Sequence, residues 1–297
     1  MDKQYDLASV ANMADVGCAC LVLAMPLAAA LVAAWWRLWP RRSPTAPTLS
    51  SLPARVRATA LPAQLCRIGL WALAPLVRAM LKMRIAPNTI TLLSLLAGIA
   101  AGVLLAWGHF GVAGLLFVVA SFGDALDGMV ARAGHTESPG GALFDASVDR
   151  YEEFFAFGGL AIFFRSSGIL LTVTLVALAG SFMVSYGSAQ AEARHVAVPP
   201  GIMRRPERAA SLGAGIVLGP IVAAIASACG YGGVARSLHE VPVVVAMAVI
   251  GVVANVCAVR RIRAIAAAIG ERRPMHAPRV SRVSSSPVTD TVVATAG

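Results

Sequence analysis

The chain has 297 residues, of which 58% are hydrophobic and 13% charged, and its mean hydropathy is +0.73. About a quarter of residues are charged in an average soluble chain, so a soluble domain is excluded and lipid must be the solvent for much of this one. The net charge of +10 falls in clusters between apolar runs and aromatics are only 6%, which suits membrane topology and anionic lipid and leaves no base-stacking surface for a nucleic-acid partner.

The first apolar run, 16–39, is of spanning length and ends in Trp35, Trp36 and Trp39, followed by Arg41 and Arg42. The segment before it carries Asp2, Asp6 and Asp15 against one lysine, so it predicts a membrane anchor (1–42) and not a cleavable signal peptide. Residues 43–60 are rich in Pro, Ser, Thr and Ala and read as a linker. The stretch 61–85 mixes Leu65, Ile68, Leu70 and Trp71 with Arg67, Arg78, Lys82 and Arg84, the composition of a helix lying along the bilayer surface. Six apolar segments follow, near 88–107, 111–133, 141–164, 168–190, 209–229 and 241–262, each long enough for a span of roughly 20 residues. Basic residues gather at alternate connections, which places that side in the cytoplasm and the extreme N-terminus outside. The five cysteines lie within or beside apolar runs and read as small hydrophobes. The tail 271–297, rich in Arg, Ser and Pro, is expected to be disordered.

The chemistry is concentrated around one predicted hairpin. FGDALDGMVAR places Asp124, Asp127, Gly128, Ala131 and Arg132 within roughly 140° of arc on one helix, at 100° per residue. After a short loop, GGALFDASVDR places Gly141, Asp145 and Asp149 four residues apart along one stripe of the next helix. Four carboxylates brought together would repel one another unless cations lay between them. An all-oxygen donor set points to Mg²⁺ or Mn²⁺, and four carboxylates suit two ions. Such a site can neutralise a diphosphate, while Arg132 offers a planar fork for phosphate and the small residues leave room against the helix backbone. Interfacial salt bridges are the structural alternative for the same aspartates.

The string D-x2-D-G-x2-A-R-x8-G-x3-D-x3-D, met at all eight positions, resembles the signature of the CDP-alcohol phosphotransferase family, over about residues 85–262 and with the Pro87-Asn88-x-x-Thr91 opening. The resemblance implies an all-α integral membrane protein: a six-transmembrane-helix bundle (61–270 with its juxtamembrane interfacial helix) plus the extra N-terminal anchor, its active site near the cytoplasmic surface of a bacterial inner membrane. It further implies that Asp124, Asp127 and Asp145 hold the metals, with Asp149 near the second ion and acting as general base. Gly128, Ala131, Arg132 and Gly141 would line the site of a CDP-linked donor such as CDP-diacylglycerol. Asn88 and Thr91 read equally as donor contacts or as a helix start. The implied reaction moves a phosphatidyl group to the hydroxyl of an alcohol, with release of CMP, in phospholipid biosynthesis.

The segment Gly201–Arg208 (GIMRRPER) resembles an element of the bacterial phosphatidylinositol-phosphate synthase branch, which would make Arg204, Arg205 and Arg208 ligands of an acceptor phosphate. Loop arginines also follow from topology alone. That branch typically carries a lysine where this chain has Ser188, so inositol phosphate, glycerol phosphate and an uncharged alcohol all stay open as acceptors. The spacing of Gly215 and Gly219 leaves a homodimer open. The competing functions are an intramembrane cation transporter and a catalytically inactive, lipid-binding family member.

Overall fold

The computed structural model describes residues 13–38, 63–197 and 201–271, and these form helices α1 (Met13–Leu38), α2 (Ala63–Lys82), α3 (Pro87–Ala106), α4 (Phe110–Ala133), α5 (Pro139–Phe163), α6 (Gly168–Ala193), α7 (Arg205–Ala228) and α8 (Gly232–Glu271), with no strand among the described residues. The linker 43–60 and the tail beyond residue 271 lie outside the described residues. The helix boundaries follow local chemistry. Pro87 and Pro139 sit in the first turns of α3 and α5, where a missing N–H costs nothing. Ser138 and Ser167 accept hydrogen bonds from Gly141 N and Leu170 N as N-caps. At the start of α7, Glu207 accepts from the backbone N–H groups of Met203 (2.6 Å) and Arg204 (3.2 Å). Gly108, with φ +87°, makes the sharp reversal between α3 and α4 that a side chain would strain.

Helices α3 to α8 form the bundle that the six apolar segments predict. Five of them are long and apolar enough to cross a membrane; α5 is equally long but carries Asp145, Asp149, Arg150, Glu152 and Glu153. The chain is an integral membrane protein. Its packing falls into two tight sets, α3 with α4 and α5, and α8 with α6 and α7, joined through α4–α7 and α5–α6 contacts. A core of Leu105, Phe110, Phe157, Leu160, Ile216, Met247 and Ile250 runs between the sets.

Small residues bring the site-bearing helices together. A Cβ on Gly159 of α5 would come closer than 3.0 Å to the Gly102 carbonyl of α3, and one on Gly123 of α4 would strike Ser94 of α3. Gly215 and Gly219 are spent inside the chain: a Cβ on either would lie within 3.0 Å of the Pro242 or His239 carbonyl of α8. The glycine stripe that left a dimer open therefore serves packing between α7 and α8.

Helix α1 docks against α4 and α7. Asp15, buried near its start, accepts from Val112 N at 3.0 Å and lies 3.5 Å from His109 Nδ1, both at the beginning of α4. An acid at a helix N-terminus satisfies an orphan donor and complements the dipole. The contact also fixes polarity: α1 and α4 start at the same end of the bundle, so α1 runs toward the end where the aspartates lie. Helix α2 packs on α1 and α4 with Val77 against Ile90, Leu126 and Val130, beneath the site.

Candidate active site

The two stripes read from the sequence do face each other. Single carboxylate oxygens of Asp124, Asp127 and Asp145 lie within 4.8 Å of one another, and a second set within the same distance joins Asp124 and Asp149 to Glu152. Asp124 therefore belongs to both groups and links α4 to two successive turns of α5. Asp124 Oδ1 and Glu152 Oε1 are among the buried polar atoms of the described residues that have no hydrogen-bond partner. Dehydrated carboxylate oxygens of that kind carry a penalty that a bound cation removes. This donor set, all oxygen and with orphaned buried atoms, fits a divalent metal.

The neighbours of the aspartates come from α3 and α7 as well as from α4 and α5 themselves. Thr91 of α3, 2% exposed, donates its hydroxyl to Asp127 Oδ2 and is also within 3.1 Å of the Pro87 carbonyl. The position whose role was open at the sequence level is thus a brace for a carboxylate. Gly141 and Asn88 adjoin, since a Cβ on Gly141 would lie 3.8 Å from Asn88 Oδ1. Arg132 folds back along α4 over Gly128, where a Cβ would meet its Nη1 at 3.1 Å. Half-buried Ala131 flanks it, so Gly128, Ala131 and Arg132 lie near the end of α4 and Gly141 near the start of α5, on either side of the connecting loop.

The start of α7 supplies cations. Arg205 Nη2 donates to Asp124 Oδ2, lies 2.8 Å from Asp149 Oδ1 and donates to Glu152 Oε2 at 3.0 Å. Arg208 is more deeply placed, 2% exposed, and forks onto Glu153 through Nε (2.8 Å) and Nη2 (3.1 Å). Its remaining contacts are the Met203 carbonyl and Ser185 Oγ. Arg204 stays half-buried at the rim. The three arginines expected to act together thus occupy three different settings.

Two features lay beyond what the sequence indicated. Glu152 and Glu153 extend the α5 stripe, but nothing in their spacing says that each takes one arginine of α7. The exposed Ser188 of α6 accepts from Arg261 Nη1, which also reaches the Val184 carbonyl at 3.3 Å. A cation from α8 thus covers the position whose missing charge was noted above; in sequence Arg261 is one of several basic residues at the end of an apolar run. His135 has φ +52° in the α4–α5 loop and is exposed, as a loop residue.

The chain resembles known proteins over most of the helical bundle. The family profile described as CDP-alcohol phosphatidyltransferase matches residues 84–250. A phosphatidylinositol phosphate synthase of Mycolicibacterium smegmatis is 33% identical over 212 residues, covering 68% of this chain and 87% of that protein. One from Mycobacteroides abscessus is 34% identical over 138 residues, 45% of this chain and 63% of the relative, so this chain spans just under two thirds of that relative's length. Among solved structures, the phosphatidylinositol phosphate synthase of Mycobacterium tuberculosis with CDP-DAG bound aligns at TM-score 0.52 and 25% identity, over 64% of this chain and 92% of that one.

Proposed function

We propose a reaction that starts from one premise: this chain belongs to the CDP-alcohol phosphatidyltransferase family. The reading is transfer of a phosphatidyl group from CDP-diacylglycerol to the hydroxyl of a phosphorylated polyol, with inositol phosphate or glycerol phosphate as acceptor. The observation that carries it is the convergence of Asp124, Asp127, Asp145 and Asp149 from α4 and α5 into linked carboxylate groups beside Gly128, Arg132 and Gly141. The relatives' names and the bound CDP-DAG of the tuberculosis enzyme support the donor and the reaction class.

In the proposed step the acceptor's hydroxyl oxygen attacks the donor's β-phosphorus, a P–O bond forms, and the bond to the CMP oxygen breaks with its electron pair leaving on CMP. The hydroxyl proton goes to a carboxylate oxygen of Asp149, the aspartate furthest from the donor pocket along α5. Asp124, Asp127, Asp145 and Asp149 would hold the Mg²⁺ or Mn²⁺ ions, two by their number, which when bound stabilise charge on the diphosphate. Thr91 orients Asp127 by its hydrogen bond. Arg132 faces the donor phosphates, with Asn88 and Gly141 shaping the same pocket.

For the acceptor phosphate the proposed cations are Arg204 and Arg261, with Arg205 reaching from the carboxylates. Arg261 replaces the charge absent at Ser188, and a Cβ on Gly201 would lie 3.0 Å from its Nη2, so the guanidinium lies against the α6–α7 loop. Arg208 is a strut in this reading, because Glu153 already takes its fork. The charge pattern supports a cytoplasmic active site in a bacterial inner membrane, with α2 on that surface. The domain proposed for the work is 61–270, with 1–42 an added anchor.

The test is CMP release by the purified full chain with CDP-diacylglycerol and Mn²⁺ or Mg²⁺, across glycerol phosphate, inositol phosphate, inositol and serine. Release with either phosphorylated polyol is expected. No release with any acceptor would sink the enzyme reading, and release with serine or free inositol alone would remove the phosphate-binding role of Arg204 and Arg261.

A further inference from the structure

Glu152 is a carboxylate outside the family signature that the reaction above does not use. It lies one helical turn beyond Asp149 on α5, is 5% exposed, and borders a cavity also lined by Gly98, Phe117, Ser121, Phe157 and Leu212. α3 leaves room for it: a Cβ on Gly98 would meet Glu152 Cγ at 3.0 Å. Its Oε2 accepts from Arg205 Nη2 and its Oε1 is buried and unpartnered, while one of its carboxylate oxygens lies within 4.8 Å of oxygens of Asp124 and Asp149. One guanidinium nitrogen therefore stands among three carboxylates, two of which are proposed metal ligands.

We infer that Glu152 is a positioning residue for the metal site: it supplies the counter-charge to Arg205 and so keeps that guanidinium from neutralising Asp124 and Asp149. The inference rests on the metal reading above. A guanidinium and a divalent cation compete for the same carboxylate oxygens, and in a poorly solvated site the contest is decided by which cation has another partner. Four aspartates supply four negative charges, enough for two divalent ions. Arg205 would cancel one of them, and Glu152 restores it. Arg150, the other guanidinium nearby, reaches Asp149 only at 3.7 Å and from a more exposed position. With Glu152 in place, Arg205 can give up Asp124 and Asp149 without becoming a buried, unpaired charge, and its fork stays next to the acceptor's entry.

The experiment is a Mn²⁺ titration of the full-length protein in detergent, read by isothermal calorimetry or by the electron paramagnetic resonance of free Mn²⁺. Glu152→Gln is expected to raise the Mn²⁺ Kd about tenfold, a difference of about 1.4 kcal/mol. Adding Arg205→Gln to that variant is expected to bring the Kd back to within about threefold of the unmodified protein, because the competitor has gone with its counter-ion. A merely structural role for Glu152 would show in the unfolding of the variant and leave the Mn²⁺ Kd of the folded protein unchanged. An unchanged Kd in Glu152→Gln, or no recovery in the double variant, overturns the inference. If Glu152→Gln does not fold, Arg205→Gln alone decides: tighter Mn²⁺ binding supports the competition, and equal or weaker binding overturns it. Absence of Mn²⁺ binding by the unmodified protein would instead remove the metal reading itself.

Discussion

Replacing Arg208 by leucine separates a strut from a substrate ligand. The side chain is buried to 2% and loses four hydrogen bonds in the exchange: two to Glu153, one to the Met203 carbonyl and one to Ser185. The larger cost lies in what stays behind. Glu153, one-tenth exposed, keeps its charge without the fork that neutralised it. Removing one partner of a buried pair costs about 3–5 kcal/mol, a large share of a stability of about 5–15 kcal/mol. Replacing both partners, as Glu153→Met with Arg208→Leu, removes the stranded charge and is expected to recover about half of that loss. The assay is unfolding of the full chain in mixed micelles by increasing dodecyl sulfate, followed by circular dichroism, for the wild type, both single variants and the double variant. Wild-type unfolding of Arg208→Leu together with a raised acceptor KM would refute the strut and return Arg208 to the acceptor pocket.

Other outcomes follow from single contacts. Asp149→Asn keeps the size of the side chain but cannot take a proton, so CMP release should fall at least about a hundredfold while CDP-diacylglycerol still binds; full turnover would remove Asp149 as base. Thr91→Val deletes the hydroxyl that holds Asp127, and loss of a hydrogen bond to a charged group, about 1.5–3 kcal/mol, should weaken Mn²⁺ binding by one to two orders of magnitude in calorimetry. An unaltered Kd would show that Asp127 needs no brace. Gly159→Ala forces α3 and α5 apart and is expected to cost about 1–3 kcal/mol in the same unfolding assay, with a matching fall in turnover. Wild-type values for both would mean that the helices give way without moving the carboxylates.

Helix placement was legible because spans are long and their signals local. The segment near 88–107 appears as Pro87–Ala106, that near 111–133 as Phe110–Ala133, and that near 168–190 as Gly168–Ala193. The last helix reaches Gly232–Glu271 instead of 241–262 because its polar ends continue the backbone hydrogen bonding past the apolar stretch. The two aspartate stripes were legible too, since 3.6-residue periodicity alone puts them on single faces. Partner choice by long side chains was not. Arg205 and Glu152 are 53 residues apart and Arg261 and Ser188 are 73 apart, and no periodicity links one helix's arginines to another's acids. The same blindness split Arg204, Arg205 and Arg208, which look alike in the string RRPER but meet a rim, a carboxylate group and a buried fork.

The charged stripe of α5 also bears on how the protein enters the bilayer. Its four acids and one arginine make it the poorest candidate for insertion on its own merit, at about 2.5–3.5 kcal/mol for a charge near a helix centre. Yet its neutralising partners, Arg205 and Arg208, are synthesised more than forty residues later, after α6 has emerged. On that ground α5 is expected to settle in the bilayer only once α7 arrives with the opposite charge. A nascent chain stopped just before Arg204 should leave α5 accessible to aqueous thiol reagents at an engineered cysteine, and one extended past α7 should protect it. The same acids that face metal and substrate in the proposed reaction would then tie the seating of α5 to the arrival of α7.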